Sequence, residues 1–204
     1  EDPDKITLPE KNLPVEDDEL PVYTTDAQLT DFVDDDNTLD SLKPTIVIAH
    51  GMNGSGKDDW VQSMAQALED RLGTENYNIA IWDWRAEAST IYKGTFFLQT
   101  AIPVTNTNGF ILNSAALQGD RLHNALYGTD HDFTEGLHLI GHSAGGTVID
   151  RAAKELDLDW ANVQQLTYLD APGFFDASTS EWADNYQSFA GAWDITGAYD
   201  YEIK

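Results

Sequence analysis

Leu137-His138-Leu139-Ile140-Gly141-His142-Ser143-Ala144-Gly145-Gly146 is an apolar run that breaks into Gly-x-Ser-x-Gly and then turns helical. Strand, tight turn and helix in that order present a hydroxyl by backbone geometry alone. The turn holds the serine oxygen out at the carboxyl end of a sheet, and small neighbours let strand and helix approach. By itself the pattern is weak, arising by chance in roughly one chain in twenty of this length at average glycine usage. Its context is stronger. A strand-like run precedes it, and Ala144, Val148, Ile149, Ala152 and Leu156 follow at helical spacing. The competing reading is a glycine-rich turn that only lets a helix pack on a strand.

Working outward, Thr45-Ile46-Val47-Ile48-Ala49 is a continuous apolar run, as expected of a strand covered on both faces. After the glycine-rich stretch His50–Gly56, Asp58 and Asp59 begin a helix with Trp60, Val61, Met64, Ala65, Leu68 and Leu72 on one face, and Gly73 ends it. Asn78–Trp82 reads as a strand, Phe110–Tyr127 as a helix and Gln165–Leu169 as another strand, with the helix after Ser143 running to about Leu156. Strands alternating with helices predict an α/β fold with a parallel, doubly covered sheet. Residues 1–42, acidic and interrupted by Pro3, Pro9, Pro14 and Pro21, read as an extended arm with a strand near Leu20–Tyr23, and residues 43–204 as the domain.

The 204 residues suffice for one domain with a substantial core. With 36 acidic against 11 basic side chains the net charge is −25, which excludes nucleic-acid binding through a basic patch. Solvation, including life in high salt, is the ordinary reading of such acidity. The alternative is a cation-binding role for Asp34-Asp35-Asp36, although the triplet lacks the spaced ligands and glycine of an EF-hand loop and names no metal site. There is no cysteine, hence no disulfide, thiolate metal site or cysteine nucleophile. No apolar run approaches the ~20 residues of a membrane-spanning helix.

Four motifs in order give the chain a family likeness. The strand Ile46–Ala49 leads into His50-Gly51-Met52; Trp82-Asp83-Trp84 closes the next strand; Ile140-Gly141-His142-Ser143-Ala144-Gly145 follows, and then Leu169-Asp170-Ala171-Pro172-Gly173. Over residues 42–175 the chain resembles the α/β-hydrolases, and among them lipases of the pancreatic type. The resemblance implies an α/β-hydrolase-type doubly wound, mostly parallel sheet. It also implies Ser143 as nucleophile, Asp170 as triad acid and Met52 as a donor to the oxyanion. A second oxyanion donor is the Ala144 amide at the start of the helix after Ser143. Asp170 has an alternative role as a turn cap before Ala-Pro-Gly. Asp176, Asp184 and Asp194 are fallback acids, and Asp83 reads as a structural carboxylate at a strand end.

The histidine is the anomaly. This fold takes its triad in the order Ser, acid, His, yet the histidines are His50, His123, His131, His138 and His142, none after Asp170. His50 is expected to brace its loop, His142 to fill space beside the nucleophile, and His138 to pack in its strand. Two explanations compete: the histidine loop belongs to a missing carboxyl-terminal segment or another chain, or the chain is a binding module that has lost its base. The first is favoured by a start at Glu1 without Met and by the strand-like run Tyr199–Ile203 just before Lys204.

Phe96-Phe97-Leu98, Ile102-Pro103-Val104 and Phe110-Ile111-Leu112 make residues 86–112 either a lid over an acyl cleft or part of the core. The expected substrate is a small carboxylic ester of acylglycerol type, hydrolysed with no metal or organic cofactor. The processed-looking start and acidic coat fit secretion. Oligomeric state is not readable.

Overall fold

Every residue of β2 (Thr45–Ala49) is buried, and all but the last of β3 (Asn78–Asp83). Continuous apolar runs of this kind form strands because both sheet faces are covered, so polar–apolar alternation gives way to runs such as Ile46-Val47-Ile48-Ala49. The computed structural model describes residues 28–31, 39–40, 42–88, 105–127, 136–158, 163–171, 175, 177–188 and 195–202. The arm's expected strand at Leu20–Tyr23, Asp34–Asp36, most of residues 86–112, His131, Asp176 and Asp194 lie outside the described residues.

The sheet has seven strands in the order β1-β3-β2-β4-β5-β6-β7. Six of them, β2, β3, β4 (Leu137–His142), β5 (Val163–Leu169), β6 (Trp182–Gln187) and β7 (Tyr199–Glu202), are parallel to their neighbours. β1 (Gln28–Asp31) pairs antiparallel with β3. The fold is therefore α/β with a doubly wound, mostly parallel sheet, as the sequence pattern predicts.

Two helices cover one face, α2 (Thr105–Tyr127) and α3 (Ala144–Leu158); α1 (Asp59–Leu72) covers part of the other. Alternation sorts the residues. Val47, Ala49, Trp82, Leu139, Leu166 and Tyr168 join α2 and α3 in the larger core. Ile46, Ile48, Ile79, Ile81 and Ile140 meet Val61 and Ala65 of α1 in the smaller one. Burying each such aliphatic side chain is worth about 1.5–3 kcal/mol.

Gly73 ends α1 as expected, with a φ of 79° and its N–H bonded to Glu69 O. Asp58 does not cap the helix through its side chain; its carboxylate accepts bonds from the Ser55 N–H and hydroxyl, each at 3.0 Å, and ties down the preceding loop instead. α2 begins at Thr105, ahead of the predicted Phe110, and runs through Gly109. No helix among the described residues is long and apolar enough to cross a membrane.

The strand order decides where a site belongs. From β2 the chain steps to β3 on one side, then crosses to β4 on the other. In open α/β sheets such a reversal leaves a crevice at the carboxyl ends of the two diverging strands. Those ends carry His50-Gly51 and Ser143.

Candidate active site

Ser143 sits between β4 and α3 with a φ of 52°, in the left-handed region that L residues rarely occupy. Strain of about 1–2 kcal/mol accompanies that backbone. Two main-chain bonds hold it: Ser143 N–H donates to Leu169 O at 2.9 Å, and Gly146 N–H to Ser143 O at 2.9 Å. The glycine-rich reading of the turn and the nucleophile reading share this geometry. A strained serine, rather than glycine, at the left-handed position favours the second.

The β2 loop lies directly against this turn. A Cβ on Gly51 would come within 2.9 Å of both Ser143 Cβ and His142 O, and a Cβ on Gly145 within 2.4 Å of Ala49 O. The helix after Ser143 therefore starts against the end of β2, and Gly51 lies so close to the turn that a methyl there would press on Ser143. Ala144 is buried at the first position of α3, and Met52 packs partly buried against the larger core.

His50 is fully buried and engaged at both ring nitrogens. Nδ1 faces Gly51 O at 2.9 Å; Nε2 meets the Trp84 N–H at 3.0 Å and Asp83 Oδ1 at 3.3 Å. Trp84 stacks on the ring at 5.4 Å and donates its indole N–H to His50 O at 2.7 Å. His50 thus braces the loop. Burial alone would raise the Asp83 pKa; hydrogen bonds with His50 and Arg85 overturn that and hold its carboxyl well below the usual range.

Asp170 follows β5, next to Ser143 in the sheet, because His142 pairs with Leu169. It too is left-handed, with a φ of 48°. Its N–H donates to Tyr186 O at 2.8 Å, and Ser188 N–H donates to its carboxylate Oδ1. The Ser188 clamp was not legible in the sequence, because Trp182–Gln187 carries no β-branched alternation; the buried positions of β6 are Ala183, Asn185 and Gln187. The fallback acid Asp184 lies within β6 and accepts a bond from Gln165 Nε2 at 2.7 Å.

No imidazole points between Ser143 and Asp170 among the described residues. His142 turns its half-buried ring to Trp60, centroids 5.1 Å apart. Burial pushes its pKa down against the opposing charge of Asp170. His123 stacks on Tyr127 within α2. His138, at the far end of β4, contacts Thr167 Oγ1 at 2.8 Å. No group of three or more His, Asp or Glu side chains among the described residues could hold a metal ion.

Burial lowers the His138 pKa to about 4 from 6.5, with Asp184 opposing. The unfolded chain then binds more protons than the folded one as pH falls from 6.5 to about 4, so stability drops across that window. Asp83 acts lower: its depressed carboxyl stabilises the fold above the unfolded value of 3.8, and that contribution fades as pH falls below it. Urea unfolding should therefore separate the two. His138→Gln should flatten the loss between pH 6.5 and 4 by at most ~3 kcal/mol, while Asp83→Asn should remove only the fall at lower pH.

No protein-family model matches the chain, and no curated protein matches it. Solved structures with detectable similarity include a lipase-esterase related protein from Clostridium acetobutylicum, 21% identical over 68% of this chain and 46% of that one, with a TM-score of 0.37. Est1E from Butyrivibrio proteoclasticus is 20% identical over 63% of this chain and 40% of its own, with a TM-score of 0.36. A provisionally named hydrolase from Agrobacterium vitis S4 is 13% identical over 80% of this chain and 82% of its own, with a TM-score of 0.46. The chain spans less than half the length of the first two. The α/β fold with a mostly parallel sheet rests on the strand order and pairing of this chain itself.

Proposed function

We propose that the chain acts as a serine carboxylic-ester hydrolase with Ser143 as nucleophile. The supporting observation is the left-handed Ser143, at the topological switch point, beside a Gly51 on which even a Cβ would come within 2.9 Å of the Ser143 Cβ. Ser143 Oγ attacks the ester carbonyl carbon as its proton passes to an imidazole. The carbonyl oxygen takes up the negative charge, and the Met52 and Ala144 amides neutralise it. Collapse expels the alcohol, which takes the proton; water then repeats the sequence on the acyl-enzyme. Asp170 orients the imidazole, which comes from a carboxyl-terminal segment of the same protein or from another chain. No metal or organic cofactor takes part. The substrate is a small-molecule ester of acylglycerol type, the apolar residues between β3 and α2 favouring an acyl group, and the acidic coat suits an extracellular setting.

One pair of contacts favours a second reading, a non-catalytic binding module for an apolar ligand or a protein. Ser188 engages the Asp170 carboxylate, and His142 turns away to Trp60. Free imidazole distinguishes the two. A site lacking only its base retains roughly 10³–10⁴-fold catalysis over water. Hydrolysis of p-nitrophenyl butyrate should be measurable and rise with imidazole more steeply than the buffer reaction, and the imidazole-dependent part should vanish in Ser143→Ala. A rate equal in wild type and Ser143→Ala at every imidazole concentration supports the inert module.

A further inference from the structure

At the end of the sheet opposite Ser143, on the α1 side, lies a cleft of about 450 Å³. Its floor is a single row of register partners across four strands: Ile46, His138, Gln165 and Trp182. Tyr77, after α1, supplies an aromatic wall. From His138 to Ser143 along β4 is ~16 Å at about 3.3 Å per residue, so this space is separate from the proposed active site. Its size falls within the range of small-molecule sites, roughly 300–1,000 Å³.

The lining narrows the ligand. No lysine or arginine borders the cleft, and the chain carries a net charge of −25, so anions are disfavoured. Trp182 is 60% exposed and its ring is held within 22° of parallel to Tyr199, which is 58% exposed. An indole left this open in water, and held in place by a neighbouring ring, is a flat platform for an apolar surface. Around it stand Gln164, Gln165 and Glu181. Glutamine amides both donate and accept, and Gln165 is fixed by its bond to Asp184. Hydroxyl groups also do both. An ammonium ion only donates, and would give the glutamine NH₂ groups nothing to bond.

We infer that this cleft binds a neutral pyranose oligosaccharide with equatorial hydroxyls, one C–H face of a sugar ring lying on Trp182 and its hydroxyls meeting Gln164, Gln165 and Glu181. The equatorial pattern matters because it leaves both ring faces apolar. This is a binding site at the amino ends of the strands, independent of the chemistry at Ser143.

The test is a titration with cellohexaose, followed by the backbone and side-chain amide signals of Gln165 in ¹H–¹⁵N spectra. β-1,4-Mannohexaose, with the same linkage but an axial 2-hydroxyl, and choline chloride serve as comparison probes. A saturable shift with cellohexaose is expected, weakened at least ~tenfold in Trp182→Ala and in Gln164→Ala, which are surface changes that leave the spectrum of the core intact. The proposal is overturned by no saturable shift with cellohexaose, by choline binding as tightly or more tightly, by shifts confined to the Ser143 end, or by undiminished affinity in Trp182→Ala. β-1,4-Mannohexaose binding as tightly as cellohexaose overturns the equatorial requirement.

Discussion

Gly145→Ala is expected to lower the unfolding free energy by about 3 kcal/mol, the upper end of typical overpacking. The new methyl would meet Ala49 O at 2.4 Å and His50 O at 2.8 Å. Both are backbone atoms of the central strand and its exit, which cannot swing aside as a flexible side chain would. Either α3 lifts from the sheet or β2 shifts. For a domain of this size the loss corresponds to a fall in melting temperature of about 6–12 °C. Because α3 starts one residue after Ser143, the proposed nucleophile, displacement of the helix also misplaces the Ala144 amide. Thermal unfolding and ester hydrolysis should fail together in this variant.

Gly51→Ala separates what Gly145→Ala joins. Its methyl would press on Ser143 Cβ and His142 O, each at 2.9 Å, at the mouth of the site rather than inside the packed layers. The loop can relieve this contact by moving outward, so the stability cost is expected to be only ~1–2 kcal/mol. The same movement withdraws Met52 from its place in the proposed oxyanion hole. Loss of one such donor costs roughly 10²–10³-fold in turnover. The imidazole-dependent hydrolysis of p-nitrophenyl butyrate should fall by that factor, with a fall in melting temperature of only about 2–8 °C. Equal activity in Gly51→Ala and wild type would remove Met52 from the proposed oxyanion hole.

How much of this was legible beforehand follows from the kind of signal each element carries. β2 and β3 announce themselves because burial on both faces demands nearly continuous apolar runs, and β4 and β5 because their buried residues are mostly apolar. Ser143 is legible because its turn tolerates few sequences. β6 was not, since Trp182-Ala183-Asp184-Asn185-Tyr186-Gln187 buries Ala183, Asn185 and Gln187, a polar inward set that no hydrophobic period detects. β1 was missed because four residues pairing antiparallel at a sheet edge need no apolar period. The early start of α2 reflects the weakness of glycine as a stop signal inside a helix. At the site, His50 was read as a brace from its place in the loop, but its partner Trp84 was not. Trp60 was placed on the core face of α1, and only the folded chain brings it to His142. Contacts between residues distant in sequence leave no local trace.

The most direct test is to treat the protein with a fluorophosphonate in the presence of imidazole and map the adduct by peptide mass. A backbone that forces the Ser143 hydroxyl outward beside two amides predicts one adduct, on the peptide bearing Ser143, forming faster as imidazole rises and absent from Ser143→Ala. An unmodified protein at high imidazole, or an adduct on another serine that persists in Ser143→Ala, would contradict it.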